Sequence, residues 1–301
     1  MSSASRRSWA GAIVWLIAIP AMCGGVAIAA ATNRTIYVSV TDGKGNPVTD
    51  LTAQNFKIKE GGKDREIVRA EPAKAPPHIA LMVEERLSVD QHVREGMFEF
   101  VKRMAGSAEI SLITVGLRNN DLTPFTSDPN IVLKAINDLS RNSQPMSNLT
   151  EGINDISKKF DQDNPTRPVI VSIAFSGGQA GPDAKAILNQ LRQGGATLYA
   201  VTFGNASADN ASANASLGTL ADESGREQVL GDGTKQSGGR RYDVVTTAAI
   251  PKALQDVASD LASQYAITYA LPEGVKPDKR VSVSTDRKGI SLRAPSAIPD
   301  K

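Results

Sequence analysis

A chain of 301 residues, 41% hydrophobic and 22% charged, is long enough to bury a substantial core and too apolar to be disordered. Its 34 basic and 32 acidic residues leave a formal charge of +2, which falls to neutrality once Arg6 and Arg7 are removed. No global electrostatic footprint for nucleic acid remains, and the single cysteine, Cys23, excludes an intramolecular disulfide and a thiolate metal centre.

The first residues stand apart. Arg6 and Arg7 precede the apolar run AGAIVWLIAIPAMCGGVAIAA, with small residues at Ala27, Ala29 and Ala31. Residues 1–31 therefore have the layout of a secretory signal peptide cleaved after Ala29 or Ala31, which predicts a secreted or periplasmic protein with no stable membrane insertion after cleavage. The run is also about long enough for an uncleaved anchor, although Pro20 and Gly24-Gly25 weaken such a helix.

Residues 32–75 change character. IYVSV and FKIKE alternate apolar and polar positions between Asp-Gly, Gly-Asn-Pro and Gly-Gly turns, the pattern of half-buried antiparallel strands. About 40 residues are too few for an independent core. The same alternation returns in residues 264–301, in YAITYA, RVSVST and GISLRA, so the two chain ends are expected to form one β module around an inserted middle.

That middle, residues 76–263, alternates strand and helix. HIALMV reads as a buried strand, and Val89, Val93, Met97, Val101 and Met104 fall on one helical stripe. AEISLITVG, RPVIVSIAFS and ATLYAVTFG are further strands. DPNIVLKAINDLS, LTEGINDISKKF, PDAKAILNQLRQGG, NASLGTLADESG and AIPKALQDVASDLASQ are helices, one of them opened by Asp128 with Pro129 in its first turn. The expected fold class is α/β, a doubly wound, mostly parallel sheet covered on both faces. NASADNASANAS, residues 205–216, reads as a solvated low-complexity loop, and GDGTKQSGGRRYD, residues 231–243, as an exposed basic loop or hairpin. In the latter, Lys235, Arg240 and Arg241 form a candidate contact patch for an acidic partner.

The order and local sequences resemble the von Willebrand factor type A domain, and specifically the secreted bacterial proteins that carry the VWFA-related domain. VTDGKGNPVTDLTAQNFKIKEGGKDREI is similar to that family's leader segment, LRQGGATLYAVTFG to its late strand, LADESGREQV to the helix and turn that follow, and LASQYAITYALP to its exit segment. The resemblance implies a Rossmann-like sheet and a non-catalytic, adhesion-type protein-binding role. In the wider family it also implies a metal-ion-dependent adhesion site, Asp-x-Ser-x-Ser with a later Thr and Asp, whose oxygens suit Mg²⁺ or Mn²⁺.

Placed on that pattern, IALMVEERLS puts Glu84 at the Asp, Arg86 at the first Ser and Ser88 at the second. Ser147 stands at the Thr and Gly177 at the later Asp. A guanidinium has no lone pair and carries fixed positive charge where a cation should sit, so the site is expected to be degenerate and metal-free. Glu84, Ser88 and Ser147 remain as residual metal candidates, and Arg86 can fill the vacancy by pairing with Glu84 or Glu85. Glu84, Glu85, Arg86, Ser88, Ser147 and Gly177 are the expected partner-binding residues at one end of the sheet. The alternative is an envelope assembly or scaffolding protein in which the A-like domain is structural.

Catalysis has little material. His78 sits at a domain junction and His92 on a polar helix face, and the sequence has no other histidine. AFSGGQAG lacks the Gly-x-Ser-x-Gly elbow and the dinucleotide glycine pattern, and GDGTKQ lacks the Lys-Ser/Thr of a P-loop. No cofactor and no enzymatic activity are expected, and a protein is the expected partner.

Overall fold

The structure, a computed structural model, describes residues 32–139, 147–175, 183–204 and 217–300, with 217–223 described by backbone alone. The leader-like residues 1–31, the loop 205–216 and the Ser176-Gly177 turn lie outside the described residues.

The chain runs through β1 (Thr32–Asp42), β2 (Phe56–Glu60), β3 (Lys63–Arg65), β4 (Ile67–Pro72), β5 (His78–Glu84), α1 (Gln91–Met104), β6 (Glu109–Val115) and β7 (Asn119–Asp121). It continues through α2 (Pro129–Asn137), α3 (Leu149–Asp163), β8 (Pro168–Phe175), α4 (Ala184–Gly194) and β9 (Thr197–Phe203). It closes with α5 (Leu217–Gln236), β10 (Arg240–Val244), α6 (Ile250–Ser263), β11 (Tyr265–Leu271), β12 (Val281–Thr285) and β13 (Ile290–Arg293).

The central sheet has the order β10-β9-β8-β5-β6-β7, parallel except for β7. Strand direction in sequence reverses around β5: the chain first steps to β6 on one side and later returns to β8 on the other. The crevice beyond the carboxyl ends of β5 and β8 is thus a topological switch point, where open α/β sheets bind ligands. Side chains alternate across β5. Ile79, Leu81 and Val83 join the core under α1, α2 and α6, and Ala80 and Met82 the core under α3, α4 and α5.

Local chemistry explains the helix boundaries. Asp90 caps α1 by accepting from the His92 and Val93 amides, Asp128 caps α2 through Asn130 with Pro129 in the first turn, and Asp183 caps α4 through Lys185. The C-cap of α4 is Gly195, at φ 66°, a left-handed conformation that disfavours side chains. Val93, Met97, Phe100, Val101 and Met104 form the buried stripe of α1.

Two smaller antiparallel sheets, β13-β1-β11-β4 and β12-β2-β3, are built from both ends of the chain. A third core joins them, with Val38 and Val40 of β1, Phe56 and Ile58 of β2, and Tyr265, Ile267 and Tyr269 of β11. Where this core meets the central sheet, a buried polar network closes the junction. Arg167 donates to the Leu261 carbonyl at 2.6 Å and to Gln264 Oε1 at 2.7 Å, and Gln264 Nε2 donates to Tyr199 Oη at 3.2 Å and Ser39 Oγ at 3.3 Å. Asp260 accepts from Tyr199 and Arg293. Burial, reinforced by the Asp260 charge, pushes the Tyr199 phenol well above its ordinary pKa.

The expected loop at residues 231–243 is not a loop. Residues 231–236 are the last turns of α5 and residues 240–244 are β10. The glycines answer to packing: a Cβ on Gly233 would press on Leu188, Leu191 and Leu198, and one on Gly239 would lie 1.8 Å from the Leu198 carbonyl oxygen. Of the basic patch, Arg241 pairs with Glu227 at 2.6 Å and Asp243 at 2.7 Å, whereas Lys235 and Arg240 stay exposed.

Candidate functional site

Glu84 is the last residue of β5, so strand alternation turns it to the α5 side of the sheet, at the switch point. Its side chain is 2% exposed, and both oxygens are engaged. Oε1 accepts from Arg226 Nη2 at 2.9 Å and Oε2 from the Phe175 amide at the end of β8, at 2.6 Å. Arg226, on α5, is fully buried, and the same Nη2 donates to the Phe175 carbonyl at 2.8 Å. Its Nε and Nη1 are also buried and have no hydrogen-bond partner among the described residues. The positive charge at the crevice is therefore built into the chain.

Arg86 does not play that part. It is exposed, with its guanidinium 4.6 Å from the centroid of the Phe175 ring, while Phe175 tilts against Phe203 at 5.6 Å. The physical reason lies in the turn after β5. Leu87 and Ser88 amides fold back to the Glu84 carbonyl at 2.8 and 3.1 Å, and Arg86, at the apex, points to solvent above an aromatic face. Of the partners open to Arg86, Glu84 or Glu85, the first is taken by Arg226, and Arg86 lies over Phe175.

The remaining candidates divide. Ser88 is 1% exposed and its hydroxyl donates to the Glu85 carbonyl at 2.8 Å, so it locks the turn. Glu85, 8% exposed, turns to the opposite face from Glu84, and its Oε2 lies against Gly116 without a hydrogen-bond partner. Ser147 precedes α3, and its buried Oγ has no partner among the described residues. The following Asn148 amide donates to the Gly116 carbonyl at 2.9 Å, which ties this loop to the end of β6. Gly177 lies outside the described residues. The structure thus brings Glu84, Glu85, Arg86, Ser88 and Ser147 to the carboxyl end of the sheet and adds Arg226, which the sequence pattern had not marked.

Set against a divalent cation, these donors do not fit. Glu84 has no free oxygen, Ser88 is held in a turn, and a buried guanidinium stands beside the carboxylate. Among the described residues no group of three or more His, Cys, Asp or Glu is placed to hold a metal, and no helix is long and apolar enough to cross a membrane.

A six-stranded, mostly parallel sheet with helices on both faces places the chain in the open, doubly wound α/β class. Comparison of folds gives the particular member: the fold is von Willebrand factor A-like. Proximal thread matrix protein 1 from the mussel byssus, solved with a zinc-occupied MIDAS motif, matches at a TM-score of 0.50 with 13% identity, over 68% of this chain and 50% of that one. A von Willebrand factor type A structure from Catenulispora acidiphila matches at 0.49 with 9% identity, over 84% of this chain and 76% of that one. An aerotolerance-related membrane protein from Bacteroides fragilis matches at 0.44 with 14% identity, over 61% of this chain and 98% of that one. The chain spans about half the length of the mussel protein. By sequence, no protein-family model and no curated protein matches it.

Proposed function

We propose that this chain is a non-catalytic protein-binding module of the cell envelope or exterior, whose contact surface is the loop cluster at the carboxyl end of the central sheet and which works without a divalent cation. The observation that carries the reading is the buried Arg226 against Glu84. The mussel protein is solved with a zinc-occupied MIDAS motif; in this chain a buried guanidinium stands beside Glu84. The internal pair fixes the carboxyl ends of β5 and β8 to α5, and so sets the shape of the loops around it. Arg86, exposed over Phe175, is the residue on that surface best placed to meet a partner, because an aromatic-backed guanidinium offers both charge and a planar apolar face. The signal-like leader supports the secreted or periplasmic placement.

The histidines support the non-catalytic reading. His78 is engaged by Glu109 at 2.8 Å and stacks on Phe125 at 3.8 Å, at the amino end of β5 and away from the crevice.

Retention of envelope proteins on the immobilised chain, in Mg²⁺ and in chelator, tests this. Equal retention in both, weakened by Arg86→Glu, is expected. Binding abolished by chelator would overturn the metal-independent mode, and binding indifferent to Arg86→Glu would move the surface elsewhere.

A further inference from the structure

Glu84 and Glu85 are neighbours with opposite fates. Alternation sends Glu84 to the α5 side, where Arg226 neutralises it, and Glu85 to the side of α1 and α2, where no cation among the described residues pairs with it. Glu85 is 8% exposed and lines a cavity of about 440 Å³ between the turn after β5, the β6–β7 edge and α2. That volume lies within the roughly 300–1,000 Å³ usual for small-ligand sites. Leu122, Ile131 and Leu139 supply its apolar wall. Leu122 and Ile131 are 36% and 45% exposed, so this wall is open to a ligand from solvent.

Among the described residues, the nearby cations are otherwise engaged. Lys134, on the rim, pairs with Asp138 at 2.6 Å, one helical turn on. Arg94 donates to the Ser88 carbonyl at 3.0 Å and to the Leu139 carbonyl, which clamps the pocket wall without reaching the carboxylate. A nearly buried carboxylate with no counter-charge among the described residues is costly, and a cation that brings its own apolar surface relieves that cost.

We infer that this cavity is a binding site for a primary ammonium on a short aliphatic stem, the ammonium meeting Glu85 and the stem lying along Leu122, Ile131 and Leu139. The chemistry is shared by a lysine side chain and a free alkylamine. A guanidinium or quaternary group is a poorer match, since a compact ammonium concentrates its charge and its three donors on one atom. Glu85 lies on the opposite face of the sheet from Glu84 and Arg226, so the site does not depend on that pair, although it borders the loop surface that carries Arg86.

The test is an NMR titration of the full chain, following the methyl groups of Leu122, Ile131 and Leu139, with pentylammonium, with Nα-acetyl-lysine methylamide, and with the neutral N-pentylacetamide. Saturable shifts confined to these methyls are expected with the charged probes. The neutral probe, and pentylammonium on Glu85→Gln, should bind roughly tenfold or more weakly, the loss of a charge-assisted hydrogen bond. Equal binding of the lysine derivative and pentylammonium assigns the site to a lysine side chain, and binding of pentylammonium alone assigns it to a free amine. No saturable shift, or an equal response to the neutral probe, overturns the inference. The neutral probe on the unmodified chain decides the matter even if Glu85→Gln fails to fold.

Discussion

Glu84 and Arg226 are 142 positions apart in sequence, yet their side chains meet at 2.9 Å with 2% and 0% exposure. A buried pair of this kind is weak evidence for net stability, because desolvation of both charges offsets their attraction. What it does fix is geometry, since Nη2 and the Phe175 amide and carbonyl close a ring of hydrogen bonds across the β5–β8 crevice.

The first prediction concerns that pair. Arg226→Met leaves Glu84 buried without its counter-charge and is expected to cost about 3–5 kcal/mol, whereas Arg226→Met with Glu84→Leu replaces both charges by apolar groups and should recover most of the loss. Urea denaturation of the two single variants and the double variant measures the coupling. Additive losses would show that the two groups do not act as a pair.

A second prediction separates two glycines of one region. Gly239→Ala would push a Cβ to 1.8 Å from the Leu198 carbonyl oxygen and should destabilise by about 3 kcal/mol through strain at the junction of α5 and β10. Gly231→Ala, in α5 with open space around its Cβ, should stabilise by about 0.5–1 kcal/mol. Thermal unfolding of each variant checks both signs.

A third concerns alkaline pH. Burial raises the Tyr269 phenol from about 10 to about 12, and burial with the Asp260 charge also holds Tyr199 well above its ordinary range. A raised folded-state pKa means that the folded chain holds its proton where the unfolded chain has lost it. The stabilisation is complete below pH 10 and declines as pH rises from 10 through 12. Tyr269→Phe removes the titrating hydroxyl, so it should flatten the decline above pH 10. Denaturation midpoints from pH 8 to 11 follow the effect; identical slopes in both proteins would contradict it.

The layered fold is legible in the sequence because its signals are local. HIALMV and RPVIVSIAFS are continuous apolar runs, and Asp90, Asp128 and Asp183 stand where helices begin. The turn composition of GDGTKQSGG misleads for a physical reason: its glycines answer to close packing against β9 and not to chain reversal, and such a demand is set by a partner far away in sequence. The same holds at the site. Glu84, Arg86 and Ser88 are marked by their place after β5, but the counter-charge comes from α5. Arg226 does leave one trace, since Val229, Leu230 and Gly233 follow it at helical spacing on the buried stripe. An arginine on an apolar stripe requires a buried anion, and a strand ending in Glu-Glu supplies it.

The central claim is that Arg226 holds the positive charge of the crevice in place of a divalent cation. Thermal melting of the chain in millimolar Mg²⁺ or Mn²⁺ against chelator tests it most directly, because a ligand that binds only the folded state raises the melting temperature as its concentration exceeds the dissociation constant. The account predicts the same melting temperature in all three solutions. A rise that grows with cation concentration and disappears in Glu84→Ala would contradict it.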